Sequence, residues 1–132
     1  MKNELRELVK YRIQRAEETL VEAEILFANG HFNTFVNRIY YACFYAVNAI
    51  LLAMGASAAK HSGVRALLHR ELIKTGKLPE EMGRFYDKIF DNRQKADYAD
   101  LVAFLPDDVG PWMQQAKEFV SAVNKLITAG ID

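Results

Sequence analysis

The segment DNRQKADYAD, residues 91–100, gathers side chains able to hold a phosphate. Arg93 carries a planar guanidinium that can grip a phosphate through two parallel hydrogen bonds, and Lys95 adds a second cation. Tyr98 offers a hydroxyl or a flat face on which a base can stack. On a continuous helix Arg93 and Asp97 stand one turn apart and are expected to pair, but an exposed pair of that kind contributes only about 0.3–0.5 kcal/mol. Stability is therefore a weak reason for the cluster. The plainer reading is that Arg93 and Lys95 are cations placed to suit a helix C-terminus.

Two further segments could contribute. KHSGVRALLHRELIK, residues 60–74, sets Lys60, His61, Arg65, His69, Arg70 and Lys74 against one acid, Glu71. Its start is also a helix N-terminus with free N–H groups, so it is either an anion site or a solvated face. NRIYYACFYAVN, residues 37–48, brings Arg38, Tyr41, Tyr45 and Asn48 to roughly one side of a helix. Tyr40, Tyr41 and Tyr45 read more readily as core than as ligand contacts. Arg38 is costly to bury unpaired, so it should reach solvent or meet a carboxylate such as Asp97.

Other chemistries find little support. A metal needs several His, Cys or carboxylate ligands at helical spacing; His31 stands alone, and His61 and His69 have basic neighbours, so no metal is expected. Nucleophilic triads and glycine-rich phosphate loops are missing, and no cofactor is implied. The formal net charge is zero, so any hold on nucleic acid must come from a local patch. Cys43 is the single cysteine and lies in an apolar run, which points to a reduced, buried thiol and a cytoplasmic protein. The start, MKNELRELVK, shows neither a secretory nor an acylation pattern. The most apolar segment, residues 39–54, falls short of the roughly 20 residues that span a bilayer, so it reads as a helix buried in protein, with no membrane partner.

Helices must position these groups. Apolar residues recur at helical spacing throughout, and no β alternation appears, which predicts an all-α chain. The first helix is expected over about Glu4–Ala28, with Leu5, Leu8, Ala16, Leu20, Ala23 and Phe27 on its buried stripe. The second runs from about Asn33 or Thr34 to Met54 and, being apolar on nearly every side, should be central or lie in a subunit interface. A third should start near Ser62, acting as cap, and end at TGKLP; a fourth covers Glu80–Ala96; a fifth covers Pro111–Thr128 after the link FLPDDVG. With 132 residues, the expectation is one domain over 1–132, an up-and-down bundle of four long helices plus one shorter helix.

NRIYYACFYAVNAILLAMG, then KHSGVRALLHRE, then FDNRQKADY, resembles the small stand-alone proteins of the HEPN superfamily, the higher eukaryotes and prokaryotes nucleotide-binding domain. The resemblance implies a helical bundle, frequent homodimers, and cytosolic roles linked to RNA or nucleotides. It also implies toxin or defence ribonucleases, often encoded with a minimal nucleotidyltransferase as partner. Active members carry an arginine, four to six residues and a late histidine. Arg93 matches the arginine, while Tyr98 holds the histidine position, so Arg93, Asp97 and Tyr98 are the candidate catalytic positions, with Arg38, Tyr41, Lys60, His61 and Lys95 as ligand contacts. A tyrosine titrating near 10 is a poor proton shuttle at pH 7 compared with a histidine near 6.5, so metal-independent ribonuclease chemistry would need Asp97 or a residue from elsewhere, such as His61. Three readings stay open: a binder of RNA or a nucleotide with weak or no nuclease activity, a non-catalytic partner of a nucleotidyltransferase, and a structural helical dimer.

Overall fold

The computed structural model describes residues 2–98 and 102–130. Among them are six helices and no strand: α1 (Asn3–Ala28), α2 (Phe32–Ala53), α3 (His61–Leu68), α4 (Glu80–Ala96), α5 (Pro106–Val109) and α6 (Trp112–Thr128). The all-α expectation holds, with four long helices and the shorter α3. The additional α5 lies in the FLPDDVG link; Pro106 pre-sets its first turn, and Asp107 and Asp108 suit the positive end of its dipole.

α1 ends at Asn29-Gly30, where Gly30 adopts φ +79°, and His31 N–H donates to the carbonyl of Leu26 at 2.9 Å. A left-handed residue there reverses the chain within a few positions and lays α2 back along α1. α2 buries Phe35, Val36, Ile39, Tyr40, Cys43, Val47 and Ile50, and packs against α1, α4 and α6. Full burial of each large apolar side chain is worth about 1.5–3 kcal/mol, so a helix apolar on every side belongs at the centre. By length and composition α2 is apolar enough to cross a membrane, but 61 % of its most apolar stretch is buried within the bundle. Tyr41, Phe44 and Tyr45 of α2 are only partly buried against this core.

Two local expectations need correction. Leu8 is 40 % exposed, and the buried stripe of α1 starts instead from Val9 and Ile13, continuing through Ala16, Leu20 and Ala23. Ser62 does not cap α3: the helix begins one residue earlier, at His61, with no side-chain cap. α3 runs without a break into a π turn over His69–Ile73, in which Lys74 N–H donates to the His69 carbonyl at 2.8 Å. The chain then reverses, and α4 returns alongside α3, bringing the end of α4 beside the start of α3.

Candidate functional site

Three helices meet where α4 ends. α2 presents Tyr40, Tyr41 and Phe44 on one face, α3 opens with His61 against that face, and α4 brings Arg93 from the other side. Tyr40 is fully buried, and its hydroxyl lies 2.7 Å from His61 Nδ1. The imidazole stacks on Phe44 with centroids 4.4 Å apart and meets the edge of Tyr41 at 5.9 Å, so its plane is fixed by aromatic contacts. Arg93 Cζ lies 4.8 Å from the Tyr40 ring centroid and 5.9 Å from that of Phe90. Its Nε is buried and has no hydrogen-bond partner among the described residues.

The electrostatics follow from this packing. Burial pushes the Tyr40 hydroxyl up to about 12, so it stays protonated at neutral pH. Burial, and then the charge of Arg93, lowers His61 below the ordinary histidine value, which favours the neutral imidazole. Neither group offsets the guanidinium. Arg93 thus presents a partly desolvated positive charge on an aromatic wall, beside a neutral histidine.

A polar chain borders this wall. Arg38 Nε and Nη2 donate to Asn37 Oδ1 at 3.1 and 2.8 Å, and Asn37 Nδ2 donates to Asp97 Oδ1 at 3.1 Å. Arg38 also lies 3.6 Å from Glu22 and over the Tyr41 ring at 5.2 Å. Two expectations change here. Arg93 and Asp97 form no ion pair among the described residues, because Arg93 turns inward onto Tyr40 while Asp97, past the last residue of α4, takes the Asn37 amide. Arg38 finds Glu22 directly and reaches Asp97 only through Asn37.

The remaining candidates divide. Tyr98 sits just beyond the end of α4 and is 65 % exposed; Lys60 and Lys95 are exposed without an ion pair among the described residues. Asp100 lies outside the described residues. Asn48 donates to the Phe44 carbonyl of its own helix at 3.0 Å and is occupied there. Reading residues by type missed Asn37 and the pairing of Tyr40 with His61. Asn37 beside Arg38 at the mouth of an apolar helix was a weak signal for the first. The second joins positions 21 residues apart that only the turn between α2 and α3 brings together.

A second cluster lies farther along the α3–α4 seam. Arg65 Cζ sits 3.9 Å from the Phe90 ring centroid, with Nη1 4.0 Å from Asp87 and 3.7 Å from Asp91. His69 Nε2 is 2.9 Å from Asp87 Oδ1, and Arg70 donates to Glu71 at 2.9 Å. Within the basic run 60–74, Arg65, His69 and Arg70 thus have acidic partners from α4 or from the run itself, while Lys60, His61 and Lys74 have none among the described residues. No three His, Cys, Asp or Glu side chains converge as a metal would require, among the described residues.

The model of the HEPN domain matches residues 9–126. The chain belongs to the HEPN domain family. It is 46 % identical over 125 residues to a "UPF0332 protein" of Thermotoga maritima, covering 95 % of both chains. It is 32 % identical over 122 residues to a Methanocaldococcus jannaschii protein named "Putative toxin", covering 92 % of this chain and 82 % of that one. A second M. jannaschii protein of that name is 36 % identical over 98 residues, covering 74 % and 73 %. In this HEPN chain the late position holds the exposed Tyr98, and the histidine sharing an aromatic wall with Arg93 is His61, from the start of α3.

Proposed function

We propose that this HEPN chain is a cytoplasmic RNA- or nucleotide-binding protein, of the toxin or defence type, that holds a phosphate of its ligand at Arg93. The observation carrying this reading is the buried, unpartnered Nε of Arg93 beside a neutral imidazole and a phenol. A desolvated guanidinium without a counter-charge is costly, and an incoming phosphate supplies both the charge and the hydrogen bonds it lacks. Tyr41 lines the wall, Arg38 and Asp97 border it through Asn37, and exposed Lys60 and Lys95 add attraction for an anionic ligand. Without the late histidine, cleavage is slow or absent. The test is titration of the protein with nucleotides and short RNAs: tight binding that Arg93→Ala weakens supports the reading, and no binding of any of them removes it.

A second reading, as the non-catalytic partner of a minimal nucleotidyltransferase, draws support from Tyr98, whose 65 % exposure makes its hydroxyl accessible to another protein. Incubation with a nucleotidyltransferase and a nucleotide, followed by mass spectrometry of the tyrosine, tests it. A homodimer fits either reading, with Tyr11, Val21 and Ile25 exposed along α1 as apolar surface for it to cover. Sedimentation at micromolar concentration decides that point.

A further inference from the structure

We propose that the cleft between the π turn and the first half of α4 is a docking site for a segment of a partner protein in which acidic residues flank an aliphatic one. The helical rise sets Arg84, on one wall of this cleft, about 13 Å from Arg93 along α4, so the two sites are separate. The docking site does not depend on the reading of Arg93 as a phosphate site.

Gly83 brings the two walls together. A Cβ there would lie 2.9 Å from His69 Cε1 and 3.2 Å from Ile73 Cγ1, so bare backbone lets the π turn settle onto α4. Beside this contact lies a cleft of 650 Å³, lined by Ala66, Arg70, Ile73 and Lys74 from one wall and Glu80 and Arg84 from the other. His69 also borders it, but its Nε2 is spent on Asp87 at 2.9 Å, which makes the ring a wall and not a ligand group.

Three fixed cations in this lining face one carboxylate. Arg70 gives only Nε to Glu71, at 2.9 Å, and Arg84 meets Glu80 loosely, at 3.8 Å. The terminal nitrogens of Arg70 and the ammonium of Lys74 have no partner among the described residues. The Arg70 and Arg84 side chains are 69 % and 71 % exposed, whereas a small molecule is gripped by groups set within an enclosing pocket. Such cations suit a macromolecule that covers them, and they steer an oppositely charged one.

The rest of the lining selects among macromolecules. It holds no tyrosine, phenylalanine or tryptophan on which bases could stack. Glu71 and Glu80 stand among the cations, where a strand charged at every nucleotide would meet them; a peptide can set neutral residues opposite them. Ala66 and half-buried Ile73 give an apolar strip between the cations, fit for a Leu, Ile or Val side chain.

The test pans a random peptide library displayed on phage against the full chain, with the double variant R70E/R84E, matched to wild type by circular dichroism, as counter-selection. Peptides in which acids flank Leu, Ile or Val should emerge. In fluorescence anisotropy an enriched peptide should bind R70E/R84E about tenfold or more weakly than wild type, because like charges then face one another. Arg93→Ala and Lys125→Glu, on other surfaces, should leave its affinity within about threefold. No enrichment, enriched peptides that bind R70E/R84E as tightly as wild type, or equal losses from Arg93→Ala or Lys125→Glu overturn the docking site. A short RNA that displaces the bound peptide from wild type assigns the cleft to RNA and overturns it as well.

Discussion

The two ends of the α3–α4 seam are built from the same parts, a histidine from α3 or the π turn that continues it and an arginine lying over the Phe90 ring, and they are finished differently. At one end His69 and Arg65 share Asp87, and Asp91 adds a second carboxylate. At the other, His61 meets a phenol, and Arg93 meets rings with no carboxylate among the described residues. Proximity to an arginine is thus not what distinguishes a site from a strut. The closed end is internally satisfied and joins two helices; the open end is left with charge and hydrogen-bonding capacity that the fold does not use.

The sharpest way to break this comparison is to remove each arginine's role in turn. Arg93→Ala should weaken nucleotide or RNA binding by about 1.5–3 kcal/mol, the range for a charge-assisted contact, measured by isothermal titration. Its urea midpoint should hold or rise slightly, because a desolvated, unpaired charge is removed. Asp87→Ala should do the reverse. Its side chain is 42 % exposed, so the lost links to His69 and Arg65 should cost only about 1 kcal/mol of stability, with ligand affinity unchanged. A fall in affinity for Asp87→Ala equal to that for Arg93→Ala would erase the distinction between the two ends.

Smaller effects sharpen it. Gly83 is buried on α4 where a Cβ would lie 2.9 Å from His69 Cε1, so Gly83→Ala should displace the His69 ring. The gain in helix propensity, about 1 kcal/mol, offsets much of the lost contact. Stability should thus move little, while the His69 ring signals shift in NMR. At the open end, His61 resists protonation in the folded chain more than in the unfolded one. The unfolded state therefore takes up the proton first, and this contribution to stability is present above the ordinary histidine value and is lost as pH falls through the lowered one. Urea midpoints between pH 7 and 5 should decline less steeply for His61→Gln than for wild type.

Much of this was legible in the sequence, because helical periodicity reports burial directly. The central place of α2 and the extents of α4 and α6 follow from which faces are apolar. Arg93 stood out because a cation after an apolar run needs an explanation. Its surroundings did not. The pairing of Arg93 with Asp97 looked favourable at helical spacing, but α4 ends between them, and a competing amide from α2 takes the carboxylate. His61 was legible as a basic-cluster residue, yet its phenolic partner depends on how the α2–α3 turn sets two helices side by side, which no local pattern encodes. The short α5 escaped notice because four residues carry too little periodicity to register.

The π turn over His69–Ile73 has a consequence for how this chain tolerates length changes. A helix closing its hydrogen bonds five residues back holds one residue more per loop than one closing four back. Deleting a single residue there, Glu71 for instance, lets the segment rewind as ordinary α-helix and keep both of its ends near their present partners. The same deletion within α4, at Lys88, has no surplus to draw on: it rotates everything beyond it by roughly 100° and carries Arg93 off the Tyr40 ring. The seam can absorb the loss of one residue on its α3 side and not on its α4 side, so natural single-residue deletions should gather in the π turn.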